Sequence, residues 1–195
     1  MKIIRCSLLL VSFAVIAWAA GTLPPRIAAL VPQGTRLVSQ EFTSVPTMAV
    51  ASFVAEKRID AVRYSEYHLE IRAFDNNSPT WKMKESAYRR QMEARIASSR
   101  SGLTPDTANQ GMFTADPVKE TKYGWGTGLT QRVQNHPPRA KEYVDYQCAY
   151  FGMIGGITFE AFANRVPDSP DEANRWAQNI ADTVSKLSVS NIAQK

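Results

Sequence analysis

The chain has 195 residues, of which 44% are hydrophobic and 21% charged, and its formal net charge is +5 at pH 7. This length suits one domain whose core is large enough to be stable without disulfides or structural metals. The basic excess is small and no single element gathers the Lys and Arg residues, so the composition argues against a nucleic-acid-binding protein.

The first residues have the three parts of a cleavable secretory signal peptide. Lys2 and Arg5 provide positive charge, residues 7–18 are uncharged and mostly apolar, and Ala-Trp-Ala at 17–19 is a small-residue cleavage pattern. The apolar run is shorter than the roughly 20 residues that a membrane-spanning helix needs. We therefore expect residues 1–19 to be removed during export.

Removal of this peptide changes the chemistry that the remaining chain can carry. Cys6 leaves with it, so Cys148 is the one cysteine of the mature chain and no intramolecular disulfide can form. Lys2 and Arg5 are two of the 23 basic residues, and the remaining 21 against 18 acidic residues give a net charge of +3. We expect residues 20–195 to form a single α+β domain, periplasmic or secreted, with no stable membrane span.

Six segments of the mature chain have the composition and alternation of β-strands. In the clearest of them, 66–74, apolar and polar residues alternate strictly. Gly155-Gly156 predicts a tight turn between the last two strands. Residues 101–117 are predicted as the longest loop, since they hold Gly, Pro, Asp and Asn with few periodic apolar residues. The six predicted strands are 36–43, 48–57, 66–74, 118–133, 143–152 and 157–165.

Helix signals occur in three places. A short helix is predicted to start at Pro25 and a longer one at Pro79, because proline is favoured in a first turn. The third begins at Ser169, where Ser-Pro-Asp-Glu has the pattern of a capping box closed by Glu172. Together, the elements predict a largely antiparallel sheet of about six strands with two to three packed helices, in an α/β/α sandwich-like arrangement. The predicted apolar stripe of the second helix is Trp81, Tyr88, Met92 and Ile96.

The order of elements in the C-terminal half resembles a known family. A glycine-interrupted strand, Tyr123-Gly-Trp-Gly-Thr-Gly, precedes a hairpin from Tyr143 to Arg165 and a capped helix from Ser169 to Leu187. In this order, residues 118–187 are similar to the ending of the PsbP-like α/β/α sandwich. That superfamily includes exported, mostly non-catalytic accessory proteins. The resemblance implies the fold and favours a binding role, and no functional residue is carried over.

The glycine-rich run within 118–133 is the least ordinary feature of the mature chain. If this segment forms one strand, its three glycines lie on one face and its aromatic residues on the other. A strand face without side chains indicates close packing by a helix or an aromatic ring such as Trp176, or a groove for a ligand. The run lacks the helix start and the Lys-Ser/Thr pair of a phosphate-binding loop. The candidate residues of a ligand or partner groove are Gly124, Trp125, Gly126 and Gly128.

Cys148 is the one candidate nucleophile, and a thiol needs a base or a positive neighbour to become a thiolate. The two histidines are His68 and His136, and the sequence places neither of them beside Cys148. Its predicted strand face is apolar and aromatic, which favours a buried, reduced core thiol. An intermolecular disulfide, or a hydrolase that uses Cys148 with His68 or His136, stays open.

Patterns for metal ligands and for paired catalytic carboxylates are weak. His68 lies between Glu66 and Glu70 on the predicted solvent face, where a solvated row of charges is favoured over a cation site. Asp145 and Glu160 lie on hairpin-partner strands, and their register decides whether they form a pair. We predict no metal and no cofactor.

These observations favour a non-enzymatic, exported binding or accessory protein that recognises a protein or an envelope component. An envelope accessory factor and an inhibitor or immunity-type protein both belong to this class. The competing hypothesis is the Cys-dependent hydrolase.

Overall fold

The computed structural model describes residues 22–61, 63–75, 79–103 and 112–192, and for 79–84 the backbone alone. The predicted signal peptide, Cys6 and the middle of the predicted long loop lie outside these ranges. The elements are α1 (Pro25–Ala28), β1 (Arg36–Val45), β2 (Met48–Arg58), β3 (Tyr64–Phe74), α2 (Pro79–Ser99), β4 (Phe113–Ala115), β5 (Lys119–Tyr123), β6 (Gly126–Asn135), β7 (Tyr143–Ile154), β8 (Ile157–Pro167) and α3 (Asp171–Val184).

The strands form one sheet in which neighbours run antiparallel. Their order is β1-β2-β3-β8-β7-β6, and both β4 and β5 pair with the outer edge of β6. The pair β3–β8, with Tyr67 opposite Ala163, joins strands from the two halves of the chain. The prediction of an α+β fold with a largely antiparallel sheet is therefore confirmed.

The sheet has eight strands in the described part of the chain, where the sequence predicted about six. Residues 118–133 were predicted as one strand, but they form a hairpin of β5 and β6 around a two-residue turn, with Tyr123 opposite Gly126. The other addition is β4, which lies in the predicted loop 101–117 and pairs with the end of β6. Both additions give hydrogen-bond partners to the outer edge of β6.

Helix α3 covers one face of the sheet. The Trp176 ring meets Tyr67 edge-on with ring centroids 5.2 Å apart. The Trp176 Nε1–H donates to the Leu30 carbonyl at 2.8 Å, which ties α3 to the segment after α1. On β7, the Tyr150 hydroxyl donates to Oδ1 of Asn174 in α3 at 2.8 Å. These contacts lie in the main hydrophobic core, which joins α1, α3, β2, β3, β7 and β8.

Helix α2 packs on the opposite face. Ile96 is buried in a second apolar cluster with Leu129, Ala149 and Phe151, and Met92 packs against this cluster. The predicted apolar stripe thus faces the sheet at Met92 and Ile96, while the side chain of the predicted stripe member Trp81 lies outside the described part. In the described ranges, no helix combines the length and the apolar character needed to cross a bilayer.

The start of α3 differs from its prediction, because the helix begins at Asp171 with Pro170 as its cap residue, and not with Ser169 as the cap and Pro170 in the first turn. Ser169 Oγ accepts a hydrogen bond from the Asp171 backbone N–H at 3.1 Å, so the serine does satisfy a first-turn donor. Glu172, however, does not close a capping box. Its Oε1 lies 2.7 Å from Lys57 Nζ and accepts from the Tyr67 hydroxyl at 3.3 Å. Glu172 therefore joins α3 to the sheet, which is a tertiary role that a local pattern cannot reveal.

Candidate functional site

The β5–β6 turn presents a pair of stacked aromatic rings. Gly124 and Trp125 form the turn itself, and the Tyr123 and Trp125 rings lie parallel, with centroids 4.5 Å apart and an angle of 4° between planes. The Trp125 ring also contacts Phe159 at 5.3 Å between centroids, so the stack is anchored on the core. The hairpin therefore holds two aromatic rings at a fixed place beside α3.

The turn changes which residues share a face with the glycines. Residues on one strand alternate between faces, but partners in an antiparallel pair lie on the same face. Because Tyr123 is opposite Gly126, its ring lies on the glycine face, and it covers Gly128. A Cβ on Gly128 would lie 2.8 Å from the Tyr123 ring and 3.1 Å from the Tyr150 ring. The expected bare face is thus filled by these two tyrosines and not by Trp176.

The three glycines of the predicted groove have different surroundings: some pack against other atoms, and one borders open space. A Cβ on Gly126 would lie 2.0 Å from the Phe151 carbonyl oxygen, so this glycine permits close approach of two backbones. A Cβ on Gly124 would have no atom within 4 Å. Of the predicted groove residues, Gly126 and Gly128 are packing positions, whereas Gly124 and Trp125 border free volume.

That free volume is a cleft of about 520 Å³ between the β5–β6 turn and α3. Trp125 Nε1–H donates across it to Gln178 Oε1 at 3.1 Å. Gln178 Nε2 in turn donates to Asp182 Oδ1 at 2.9 Å, one helical turn further along α3. The cleft residues are Tyr123, Gly124, Trp125, Met153, Ile154, Gln178, Ala181, Asp182 and Ser185. We call them the turn–helix cleft.

A second cleft of about 750 Å³ continues from the turn–helix cleft around the C-terminal end of α3. The two share Ile154 and Ser185. The second cleft passes the Gly155–Gly156 turn, which Gly155 makes with φ 58° as predicted for a tight hairpin. The two clefts therefore adjoin, and we call them together the groove.

The formal charges that line this groove are negative. Asp182 is the one charged residue of the turn–helix cleft, and Asp75 is the one charged residue of the second cleft, among the residues described. The whole chain has a net charge of +5, so the sign of the groove is opposite to that of the protein. In the turn–helix cleft, the negative charge of Asp182 favours cations over anions.

Cys148 lies inside the main core with 1% of its surface exposed. Burial raises the pKa of its thiol to about 11, although hydrogen bonds with Tyr150 and Thr130 act in the opposite direction. At neutral pH the group is therefore a thiol and not a thiolate. This geometry agrees with the favoured sequence interpretation of Cys148 as a reduced core residue.

The two histidines lie away from Cys148. In β3, His68 alternates with buried core residues and thus projects from the face opposite to the Cys148 core. His136 follows the end of β6, six residues beyond Thr130, the β6 partner of Cys148. Six strand residues correspond to roughly 20 Å. His136 Nδ1 instead lies 2.8 Å from Glu142 Oε1. The described structure thus forms no Cys–His pair from these residues.

The weaker candidates do not assemble into the sites considered for them, although His68 Nε2 lies 3.8 Å from Glu66 Oε2. Within the described ranges, no group of three or more His, Cys, Asp or Glu residues could hold a metal ion. Glu70 pairs instead with Arg72 at 2.7 Å. Glu160 of β8 pairs with Phe151 of β7. Phe151 lies six residues after Asp145 on β7, which corresponds to roughly 20 Å. Asp145 and Glu160 therefore do not form a catalytic pair.

Comparison with family models, with curated proteins and with solved structures gave no match.

Proposed function

We propose that this chain is an exported, non-enzymatic binding protein of the PsbP-like α/β/α type, which recognises a protein or envelope component through the turn–helix cleft. The observation that carries the proposal is the open space beside Gly124, bordered by the Tyr123–Trp125 stack on one side and by α3 on the other. Rigid aromatic rings next to a concave space with few polar groups are typical of binding sites.

The position of the polar groups supports binding over covalent chemistry. The amide in the cleft, Gln178, accepts from Trp125 and donates to the carboxylate of Asp182, so these polar groups bond to one another rather than to a nucleophile. Cys148, the candidate nucleophile, is buried in the main core with a raised thiol pKa. The proposal covers both an envelope accessory factor and an inhibitor or immunity-type protein.

Site-specific photo-crosslinking in cells of the source organism tests the proposal. A benzoylphenylalanine in place of Gly124 has no atom within 4 Å of its Cβ and stands at the wall of the cleft. The same residue in place of Glu41, which is exposed on β1, is the matched control. We expect one defined protein or envelope adduct from position 124 and none from position 41. The same adducts from both positions, or none from 124, would contradict a binding role for the cleft.

The export part of the proposal has its own test. Sec-type cleavage after Ala19 predicts a mature chain that begins at Ala20. Intact-mass measurement of the protein from the periplasmic and medium fractions should give that species. Recovery of the chain with Met1 from the cytoplasmic fraction alone would overturn the export proposal and leave the cleft proposal standing.

A further inference from the structure

The geometry points to a partner polypeptide that inserts a lysine side chain into the turn–helix cleft and lays its neighbouring residues along the second cleft. This inference rests on the proposed binding function and names the chemistry of its partner. Three features carry it: an unneutralised carboxylate, an aromatic stack held beside that carboxylate, and two adjoining clefts with no basic lining residue among those the structure describes.

The carboxylate of Asp182 has capacity for a cation. Its Oδ1 accepts a hydrogen bond from Gln178 Nε2 at 2.9 Å, and its Oδ2 has no hydrogen bond within the described residues. In the same ranges, no Lys, Arg or His forms an ion pair with Asp182. Most other acidic side chains of the sheet and helices are paired, as in Glu56–Arg36 and Glu172–Lys57. A cation in the cleft would give Asp182 its missing partner.

The aromatic stack supplies the second attraction. Ring faces carry negative electrostatic potential, and an ammonium group within about 6 Å of a ring centroid is attracted to them. Gln178 accepts from Trp125 Nε1–H and donates to Asp182, so one side chain fixes the indole and the carboxylate relative to each other. The site is therefore prearranged, which lowers the entropy lost on binding.

The shape of the groove favours a polypeptide over a small ammonium ligand. The second cleft begins at Ile154 and Ser185, where the turn–helix cleft ends, and it is the larger of the two. Leu187 and Val189, which are half-buried, line it and provide apolar surface for residues that flank the lysine. A headgroup such as choline would occupy the first cleft and leave this apolar surface in water.

The test compares two peptides that differ in one charge. Acetyl-Lys-Leu-Val-amide carries the ammonium group, and acetyl-norleucine-Leu-Val-amide has an uncharged side chain of similar length. The readout is the indole N–H resonance of Trp125 in ¹⁵N-labelled mature protein, assigned with Trp125→Phe. We expect the lysine peptide to bind about fivefold more tightly than the norleucine peptide, which is the scale of a half-exposed cation–π and ion-pair contact.

Two variants assign that difference to the cleft. Asp182→Asn keeps the size of the exposed side chain and removes the ion pair, so it should reduce the preference to about twofold, which is the part that the aromatic rings contribute. Glu41→Gln removes one negative charge at the opposite edge of the sheet and should leave the fivefold preference unchanged. An equal loss in both variants would mean that the preference reflects net charge and would overturn the assignment to Asp182.

The remaining outcomes separate this inference from the proposed function. Equal binding of both peptides to the unmodified protein would overturn the lysine inference and leave a binding groove in place. Choline that binds as tightly as the lysine peptide would replace the polypeptide with a headgroup ligand. If neither peptide nor choline moves the Trp125 resonance at millimolar concentration, both the inference and the proposed use of this cleft fail.

Discussion

At the scale of single residues, Gly124 and Gly126 offer a matched pair of substitutions. A Cβ on Gly126 would lie 2.0 Å from a backbone oxygen of β7, whereas a Cβ on Gly124 would meet no atom within 4 Å. We expect Gly126→Ala to lower the free energy of unfolding by about 3 kcal/mol, because β6 and β7 must separate. Gly124→Ala should change it by less than about 0.5 kcal/mol. Urea denaturation of both variants measures the difference.

Similar losses in the two glycine variants would contradict the assignment of Gly124 to the turn and Gly126 to a close backbone contact. The pair also bears on function, because Gly124→Ala adds one methyl group at a residue that lines the turn–helix cleft. Gly124→Ala is therefore the variant of choice for testing partner binding without loss of the fold.

Cys148 gives a prediction about pH. Burial raises the pKa of its thiol to about 11 from 9.0, so ionisation disfavours the folded state. The contribution of the neutral Cys148 thiol to the free energy of unfolding is complete below the pKa of the unfolded thiol. It is lost as the pH rises from about 9 to about 11. Native protein at pH 8 should therefore resist a thiol reagent that labels it fully in denaturant.

The Cys148→Ala variant is the control for the pH effect. Its stability should fall less steeply than that of the unmodified protein over the same alkaline range. Stoichiometric labelling of the native protein at neutral pH would show an accessible thiolate and would restore the Cys-dependent hydrolase as a hypothesis.

At the scale of elements, α3 is held to the sheet and to the segment after α1 by a buried indole. Trp176→Phe removes the Nε1–H that donates to the buried Leu30 carbonyl and leaves this acceptor without its partner. We expect a loss of about 2 kcal/mol in the free energy of unfolding. Trp125→Phe removes a similar bond, but at an exposed site, so its loss should stay below about 1 kcal/mol. Equal losses would contradict the anchoring role of Trp176.

Elements with a strong local pattern could be predicted from the sequence, and the β5–β6 hairpin could not. Strict alternation in 66–74 and the Gly155-Gly156 turn identify β3 and the β7–β8 hairpin. The β5–β6 turn is hidden because it contains Gly-Trp instead of a typical turn pair such as Asn-Gly, and because it inserts only two residues. Two residues are one full period of a strand, so the alternation continues through the turn without a break.

Half of the candidate site could likewise be predicted from the sequence. Gly124 and Trp125 stand out because glycines and an aromatic residue are unusual together in a strand. Gln178 and Asp182 are polar residues on the outer side of an amphipathic helix, where solvated side chains are the rule. Only the placement of α3 beside the β5–β6 turn distinguishes them, and that placement follows from long-range packing of Trp176 on Tyr67.

At the scale of the whole molecule, the two halves of the chain are interlocked. The helix of the first half, α2, packs on Leu129 and Phe151 of the second half. The helix of the second half, α3, packs on Phe53 and Tyr67 of the first. We therefore expect a chain cut by a protease at a site inserted within 104–111 to keep both fragments together under native conditions. Elution of two separate folded fragments from a sizing column would contradict this.

The central β3–β8 pair also sets an order of events in folding. The two halves of the sheet can join only when Tyr67 pairs with Ala163, which lies 96 residues later in the chain. Closing so long a loop is slow relative to forming the local hairpins β1–β2 and β7–β8. Helix α3 is the last described element in the chain and docks on strands from both halves. We expect the turn–helix cleft to acquire its second wall last, so that a newly made chain becomes able to bind only when its folding is complete.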